Sequence, residues 1–386
     1  MQTQMTACAQ LYQSLVTNHQ SPQMGSLAYL MGIGFAGLVL GSFAGCCIYR
    51  LPREISLWKP ARSFCPHCET QLRTIDNIPV ISWLLLRGRC AHCGRPISVR
   101  YLIVELLTSA LFVAFSIRVS WPVVMADLAL ALVLVIATFV DLEFLIIPDE
   151  ITFFGIGLGL ICSFCLPSLH AVSSGLTSVG LSVAGCLVGG SILYLVSEGG
   201  KLLFGRYKIL PPAPVRFSLE NSTTENPRIL LDGEPFDWAT HFFRSRDKIL
   251  LRATEVTING EKCQNLDLRF FHDRLKTARH DLPLEEIREL FGRTNRAEFP
   301  REAMGLGDVK LVAAIGTFVG WQGVLFTIPI AAFLGCAFGI IAILLRHKSL
   351  SVRVPFGPFL SAGAVLWMLC GPELVGVYER LMGLGG

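Results

Sequence analysis

The sequence predicts an all-α polytopic membrane protein of about eight transmembrane helices, carrying a cytoplasmic four-cysteine loop and a small soluble α/β insertion. Hydrophobic residues make up 52% of the 386-residue chain and charged residues only 16%. The apolar residues gather into blocks of roughly 18 to 25, the length an α-helix needs to cross a hydrocarbon core of about 30 Å. Residues 1–49 contain no Lys or Arg, whereas residues 50–100 contain nine, and basic loops remain on the cytoplasmic side.

Taken in order, residues 1–27 read as a polar external tail. It lacks the basic start of a cleaved signal peptide, and the first apolar block runs straight into Arg50-Leu51-Pro52. That block, 28–48, carries Gly32, Gly34, Gly37, Gly41 and Gly45, small surfaces that let helices approach closely in lipid. The loop 49–100 holds Cys65-Pro66-His67-Cys68 and, after 21 residues, Cys90-Ala91-His92-Cys93. Two such knuckles match a zinc ribbon, in which four thiolates satisfy a structural tetrahedral ion and leave no open position for catalytic water. His67 and His92 are bystanders on this reading. Cys46, Cys47, Cys162, Cys165, Cys186, Cys336 and Cys370 lie in or beside apolar blocks and read as small hydrophobes. Between the knuckles, Asn77-Ile78-Pro79 and Ser82-Trp83-Leu84 would lay an amphipathic surface on the membrane.

Residues 101–200 supply blocks two to five, at 101–117, 122–140, 151–168 and 177–199. Asp127, near the outer end of block three, reads as a solvated interfacial acid. The same block ends in Asp141-Leu142-Glu143-Phe144-Leu145-Ile146-Ile147-Pro148-Asp149-Glu150, four acids with no base. Uncompensated acids at a membrane edge point to a use.

From 201 to 303 the chain changes character, with 17 Lys or Arg against 15 Asp or Glu in residues 201–300. Alternating residues from Lys248 end at Asn259-Gly260, a hairpin signal. His272 to Phe291 reads as helical, broken at Asp281-Leu282-Pro283 and restarting near Leu284. The last stretch, 304–386, opens on Gly305-Leu306-Gly307-Asp308-Val309-Lys310. A short sixth block follows, then a break at Val319–Gly323, a seventh block over 324–345, a basic loop with Arg346, His347, Lys348 and Arg353, and an eighth block to about 370.

Asp141 and Asp308 are 167 residues apart, yet both stand at inner ends of predicted helices, which permits a facing pair. Two close carboxyl groups share a proton, so one can activate water while the other donates to a peptide carbonyl. Gly305 and Gly307 would allow close substrate approach and backbone angles closed to other residues. The chain has no Gly-x-Ser-x-Gly or His-Glu-x-x-His, which removes support for serine and zincin chemistry. Three other readings compete: interfacial carboxylates paired with Lys310, proton or cation transport, and a membrane-anchored zinc-ribbon adaptor.

Gly41-Ser42-Phe43, Tyr49-Arg50-Leu51-Pro52, the paired Cys-x-x-Cys around Asn77-Ile78-Pro79-x-x-Ser82-Trp83, and Arg87-Gly88-Arg89-Cys90 together resemble the bacterial type IV prepilin peptidases. So do Ile97-Ser98-x-Arg100-Tyr101-x-x-Val104-Glu105, the Asp141–Asp149 segment, Gly305–Leu311 and Pro355-Phe356-Gly357-Pro358. The resemblance implies an inner-membrane aspartic endopeptidase with its active site facing the cytoplasm. It would cleave prepilin or type II secretion pseudopilin leaders after a glycine. Asp141 and Asp308 would be catalytic; Asp149, Glu143, Lys310, Gly305 and Gly307 would support them; and Cys65, Cys68, Cys90 and Cys93 would hold structural zinc. It also implies N-methylation of the new terminus with S-adenosylmethionine, with a peptidase lacking that activity as the alternative. Pilus or secretion assembly proteins are further expected partners, beside the lipid bilayer, and nucleic acid is not. Two departures stand out: Gly45-Cys46 replaces the family's usual Asn-Val, and the 201–303 insertion replaces a brief loop.

Overall fold

The computed structural model describes residues 26–60, 62–119, 121–204, 206–220, 227–238, 248–278, 281–300, 305–346 and 354–381. Most of the expected N-terminal tail, and His347, Lys348 and Arg353 of the basic loop, lie outside them. The chain divides into two units, Met1–Tyr194 with Leu306–Gly386, and Leu195–Gly305.

The first unit is built from α1 (Leu27–Arg50), α2 (Ile81–Leu85), α3 (Val99–Arg118), α4 (Val123–Phe144), α5 (Asp149–Cys165), α6 (Gly175–Phe204), α7 (Leu306–Arg346) and α8 (Gly357–Leu381), α6 continuing past the unit's boundary. Among the described residues, five helical stretches are long and apolar enough to cross a membrane: Leu27–Arg53, Val99–Arg118, Val123–Phe144, Gly175–Lys201 and Leu306–Ala342. The chain is therefore a multi-pass membrane protein. Local signals set the helix ends. Ser26 and Ser98 cap α1 and α3 by accepting from Tyr29 N and Arg100 N, filling otherwise orphaned amides. Leu145, in the left-handed region at φ 57°, closes α4 by donating its N–H to Asp141 O.

Three of the five glycines in the first block make the close approach expected of them. A Cβ on Gly37 would lie 2.7 Å from Ser109 Cα, one on Gly41 2.7 Å from Glu105 Cα, and one on Gly45 3.1 Å from the Tyr101 ring. Spaced four apart on α1, they form one antiparallel seam against α3, where backbone proximity replaces the hydrophobic drive missing in lipid. Gly32 has no neighbour within 4 Å of such a Cβ.

The break expected at Val319–Gly323 is located at Gly320, whose φ of 67° and ψ of −179° lie outside helical space. Val312 and Val324 both approach within 3.2 Å of the position a Cβ on Gly189 would take. A straight helix would hold these valines about 18 Å apart, so α7 folds back on itself as a hairpin. Its first arm, 306–319, is about 21 Å long, short of the bilayer core. Leu311, Val312, Ala314 and Ile315 of that arm are fully buried. At the tip, Ser182 Oγ donates to Thr317 O, so His170 Nε2–H must donate to Ser182. Burial pushes His170 down to about 4, which keeps the ring neutral at neutral pH.

The second unit corrects the expected α/β insertion. Its described residues contain nine strands, β1 (Arg206–Ile209), β2 (Val215–Glu220), β3 (Arg228–Leu231), β4 (Glu234–Asp237), β5 (Ile249–Ile258), β6 (Glu261–Phe270), β7 (Arg274–Lys276), β8 (Asp281–Pro283) and β9 (Leu290–Pro300). They form one antiparallel sheet in the order β4-β3-β2-β9-β5-β6-β7-β8, with β1 also on β9. The Asn259-Gly260 hairpin is present, joining β5 to β6 with both residues at positive φ, the requirement of a tight two-residue turn. Among the described residues, the helix expected over His272–Phe291 is absent. That stretch forms β7, β8, a single 3-10 turn at Leu284–Glu286 and the start of β9. Three-residue strands are too short to display period-two alternation, while Leu275, Leu284, Ile287 and Leu290, all buried in the sheet's core, fall three to nine apart and mimic a helical face.

If the α1–α3 seam depends on backbone proximity, Gly41→Val must push the helices apart. We expect it to destabilise the detergent-solubilised protein by about 1–3 kcal/mol, read as a lowered unfolding midpoint, while Gly32→Val leaves that midpoint unchanged.

Candidate active site

The sequence-predicted acids converge at one end of the helical unit. Asp141 lies in the last turn of α4 and is 5% exposed. Its Oδ2 accepts a 2.8 Å hydrogen bond from the backbone N–H of Gly357, the first residue of α8. A free amide at a helix N-terminus carries partial positive charge and suits a carboxylate. A side chain there would displace the carboxylate, because a Cβ on Gly357 would lie 2.8 Å from Asp141 Oδ2 and 3.2 Å from Ile147 Cδ1.

Asp308 lies in the first turn of α7, half-buried and within electrostatic reach of Asp141. Ile147 connects the two segments. It touches Gly357, and a Cβ on Gly307 would come within 3.0 Å of Ile147 Cβ. Gly307 does not have positive φ. Gly307 is therefore needed for close packing and not for the unusual backbone angles expected of it, while Gly305 is exposed just before α7.

The supporting polar residues take different partners from those expected. Lys310 Nζ binds Asp149 Oδ1 at 2.6 Å and lies over the Phe153 ring, so it ties α7 to α5 and is not the salt-bridge partner of Asp141 or Asp308. Glu143 is paired with both Arg53 and Arg100. Two of the four acids that look uncompensated in sequence are thus neutralised by distant bases. Asp127 also departs from expectation, being 8% exposed on α4 instead of solvated. The Gly357 amide, Ile147 and the two arginines on Glu143 are contacts that sequence reasoning missed. The available signal was Pro355-Phe356-Gly357-Pro358, whose prolines mark a helix start but cannot say what the exposed amide faces.

The four cysteines make a separate cluster. Their sulfurs all lie within 4.8 Å of one another, and Cys65 Sγ to Cys93 Sγ is 3.9 Å. Tetrahedral zinc with bonds of about 2.3 Å separates its sulfurs by about 3.8 Å, so the set fits a structural zinc ion. Both knuckles repeat one turn: Cys65 and Cys90 each accept at O from the residue four ahead and donate N–H to the carbonyl five ahead. Hydrogen bonds from Thr70 bring the Cys68 thiol down to about 6 and amides of Cys93 and His92 lower that of Cys90, while burial and hydrogen bonding to the other three sulfurs push Cys93 up to about 11. The protein alone therefore favours thiolate at only part of the set, and a bound ion would have to displace the remaining protons. His67 and His92 are exposed. Upstream, the Arg50 guanidinium, 2% exposed, donates to the carbonyls of Ser56, Leu57, Pro60 and Arg62 and so shapes the chain entering the first knuckle.

Comparison with known proteins adds the family. Residues 35–119 match the Bacterial Peptidase A24 N-terminal domain and residues 296–344 the Type IV leader peptidase family. A prepilin leader peptidase/N-methyltransferase of Dichelobacter nodosus is 37% identical over 210 residues, covering 46% of this chain and 69% of that protein. One from Aeromonas hydrophila is 27% identical over 366 residues, covering 88% and 90%. No solved structure matches.

For the metal cluster, Ser at Cys65, Cys68, Cys90 or Cys93 should lower zinc below one ion per chain by elemental analysis and reduce folded yield, since four-thiolate sites supply folding energy directly. On its sequence matches, the chain belongs to the type IV leader peptidase family.

Proposed function

We propose that the chain is a membrane aspartic endopeptidase that removes the leader of prepilins or type II secretion pseudopilins after a glycine, with Asp141 and Asp308 as its catalytic pair. The observation that carries this reading is the convergence of two acids from distant segments at one end of the helical unit, one of them gripped by the α8 amide. The carboxylate receiving that N–H is the natural base for water. Asp308, held beside it, is the natural proton donor to the scissile carbonyl. Attack by water on the carbonyl carbon gives a gem-diol intermediate. As its C–N bond breaks, the proton that Asp141 took from water passes to the leaving amine and one hydroxyl of the gem-diol returns its proton to Asp308, leaving a carboxylic acid and the pair as it began. Asp149 and Lys310 support the pair by holding α5 against α7, and Glu143 does so by tying α4 to Arg53 and Arg100.

Membrane placement follows from charge. The basic stretch 50–100 belongs in the cytoplasm, and the Glu143 ion pairs bring the ends of α1, α3 and α4 to that same side. The two arms of α7, with α1, α3, α4, α5, α6 and α8, give eight crossings or part-crossings of an inner membrane, with the pair facing the cytoplasm. The domain plan is then a zinc loop at 49–100, the first acid within 101–200, an insertion at 201–303 and the second acid within 304–386. The insertion is a candidate contact for pilus or secretion assembly proteins. N-methylation with S-adenosylmethionine rests on the names of the relatives, and none of the residues described above marks a methyl-donor pocket.

Membranes bearing wild type, Asp141→Asn or Asp308→Asn, incubated with a prepilin and analysed by mass spectrometry, test the reading. Wild type alone should yield the product cut after the leader glycine, gaining one methyl mass when S-adenosylmethionine is present if methylation also holds. Cleavage surviving in both variants would remove the pair. Gly357→Ala should keep the fold yet slow cleavage by on the order of 100-fold, the scale of an ångström-level misplacement, whereas Gly339→Ala, with no neighbour within 4 Å, should not.

A further inference from the structure

A strained turn between the cysteine knuckles carries information that the peptidase chemistry leaves unused. Val80 has φ 62° and ψ −52°, a region closed to β-branched residues outside special turns. The turn is a three-residue one, with Ile81 N donating to Pro79 O at 2.6 Å. The Val80 N–H is thereby freed, and it donates to Glu105 Oε2 at 2.7 Å. Glu105 is 7% exposed and lies on the membrane-spanning α3. Strain of this kind persists only where surrounding bonds enforce it.

The bond fixes depth. Glu105 lies six residues beyond the start of α3 at Val99, about 9 Å along the axis. Even allowing for the lean of its side chain toward the helix N-terminus, Val80 stands beside the first two turns of α3 and not above its end. Around it, Ile75, Ile78, Ile81, Leu84 and Leu85 are 66%, 36%, 54%, 58% and 77% exposed. Ile81, Leu84 and Leu85 share one face of α2 at three- and four-residue spacing. Phe43 of α1 and Ile103 of α3 are exposed near the same depth, on helices whose outer faces meet lipid. The apolar face around α2 therefore continues a lipid-facing surface.

We infer that residues 75–85 form a monotopic membrane anchor, lying in the interfacial layer of the bilayer with Ile81, Leu84 and Leu85 among the acyl chains, and that Glu105 holds it at that depth through the Val80 amide. Such a segment gains from burying its apolar face below the headgroups. It keeps the zinc loop flush with the membrane surface.

The test uses the full-length zinc-loaded chain in vesicles of phosphatidylethanolamine and phosphatidylglycerol, with a diazirine amino acid placed singly at Leu84 or Leu85. Leu107 on the exposed side of α3 serves as the lipid-facing reference and exposed Glu69 in the first knuckle as the aqueous one. After illumination, lipid adducts are weighed by mass spectrometry. Yields at 84 and 85 should approach that of Leu107 and exceed Glu69 at least about fivefold, as interfacial insertion requires. Glu105→Ala should lower them toward the aqueous level, and Glu105→Gln, which keeps an acceptor for Val80, should restore them. Adduct yields at the Glu69 level, or cross-links to a second copy of the chain or to added prepilin in place of lipid, would overturn the anchor. Equal yields in wild type, Glu105→Ala and Glu105→Gln would overturn the role of Glu105.

Discussion

The hydrogen bond from Gly357 N–H to Asp141 Oδ2 joins the two halves of the helical unit across 216 residues. It requires a helix to begin where another ends, with no side chain between them. Pro358 in the first turn of α8 supplies the helix start, and Gly357 supplies the missing Cβ. Ile147 then fills the space left by Gly357 and Gly307 together, which brings the first turn of α7, with Asp308, against the end of α4. A methyl group added at either glycine would enter the same small volume. At the opposite end, the exposed Arg118 of α3 pairs with Glu373 of α8.

The surroundings of the short arm of α7 show how Asp308, the proposed proton donor, is carried on a helix too short to span the bilayer. It is surrounded by protein: Gly155 and Gly159 of α5 face Ala314 and Thr317, while Gly185 and Gly189 of α6 face Gly316 and Val312. Close packing on both sides holds the Asp308 backbone, and the reversal at Gly320 sends the chain out along a second, lipid-exposed arm that includes Phe333, Ile340 and Leu344. The buried arm positions, and the exposed arm anchors.

Much of this was legible in sequence, for physical reasons that differ by feature. Apolar blocks report helices directly, because the bilayer admits few alternatives for an unpaired backbone, and the break near Gly320 was readable from its glycines and tryptophan. The cysteine spacing gave the metal cluster, since four soft ligands at knuckle spacing have few other uses. What stayed hidden depends on pairing at long range. Arg53 and Arg100 meeting Glu143, Lys310 choosing Asp149, and Val80 meeting Glu105 leave no mark on local composition. In the insertion, Asn259-Gly260 marked its hairpin because a tight turn demands particular residues. The segment over His272–Phe291 misled because very short strands carry no period of their own, and Pro283 looked like a helix start when it ended β8.

The central claim is that Asp141 and Asp308 work as a proton-sharing pair. The most direct measurement is the pH dependence of kcat/KM for leader cleavage by the purified, lipid-reconstituted protein. A pair in which one carboxyl must be ionised and the other protonated gives a bell-shaped profile whose two limbs belong to the pair jointly. A profile with a single limb, across a range in which the protein stays folded and zinc-loaded, would contradict the account.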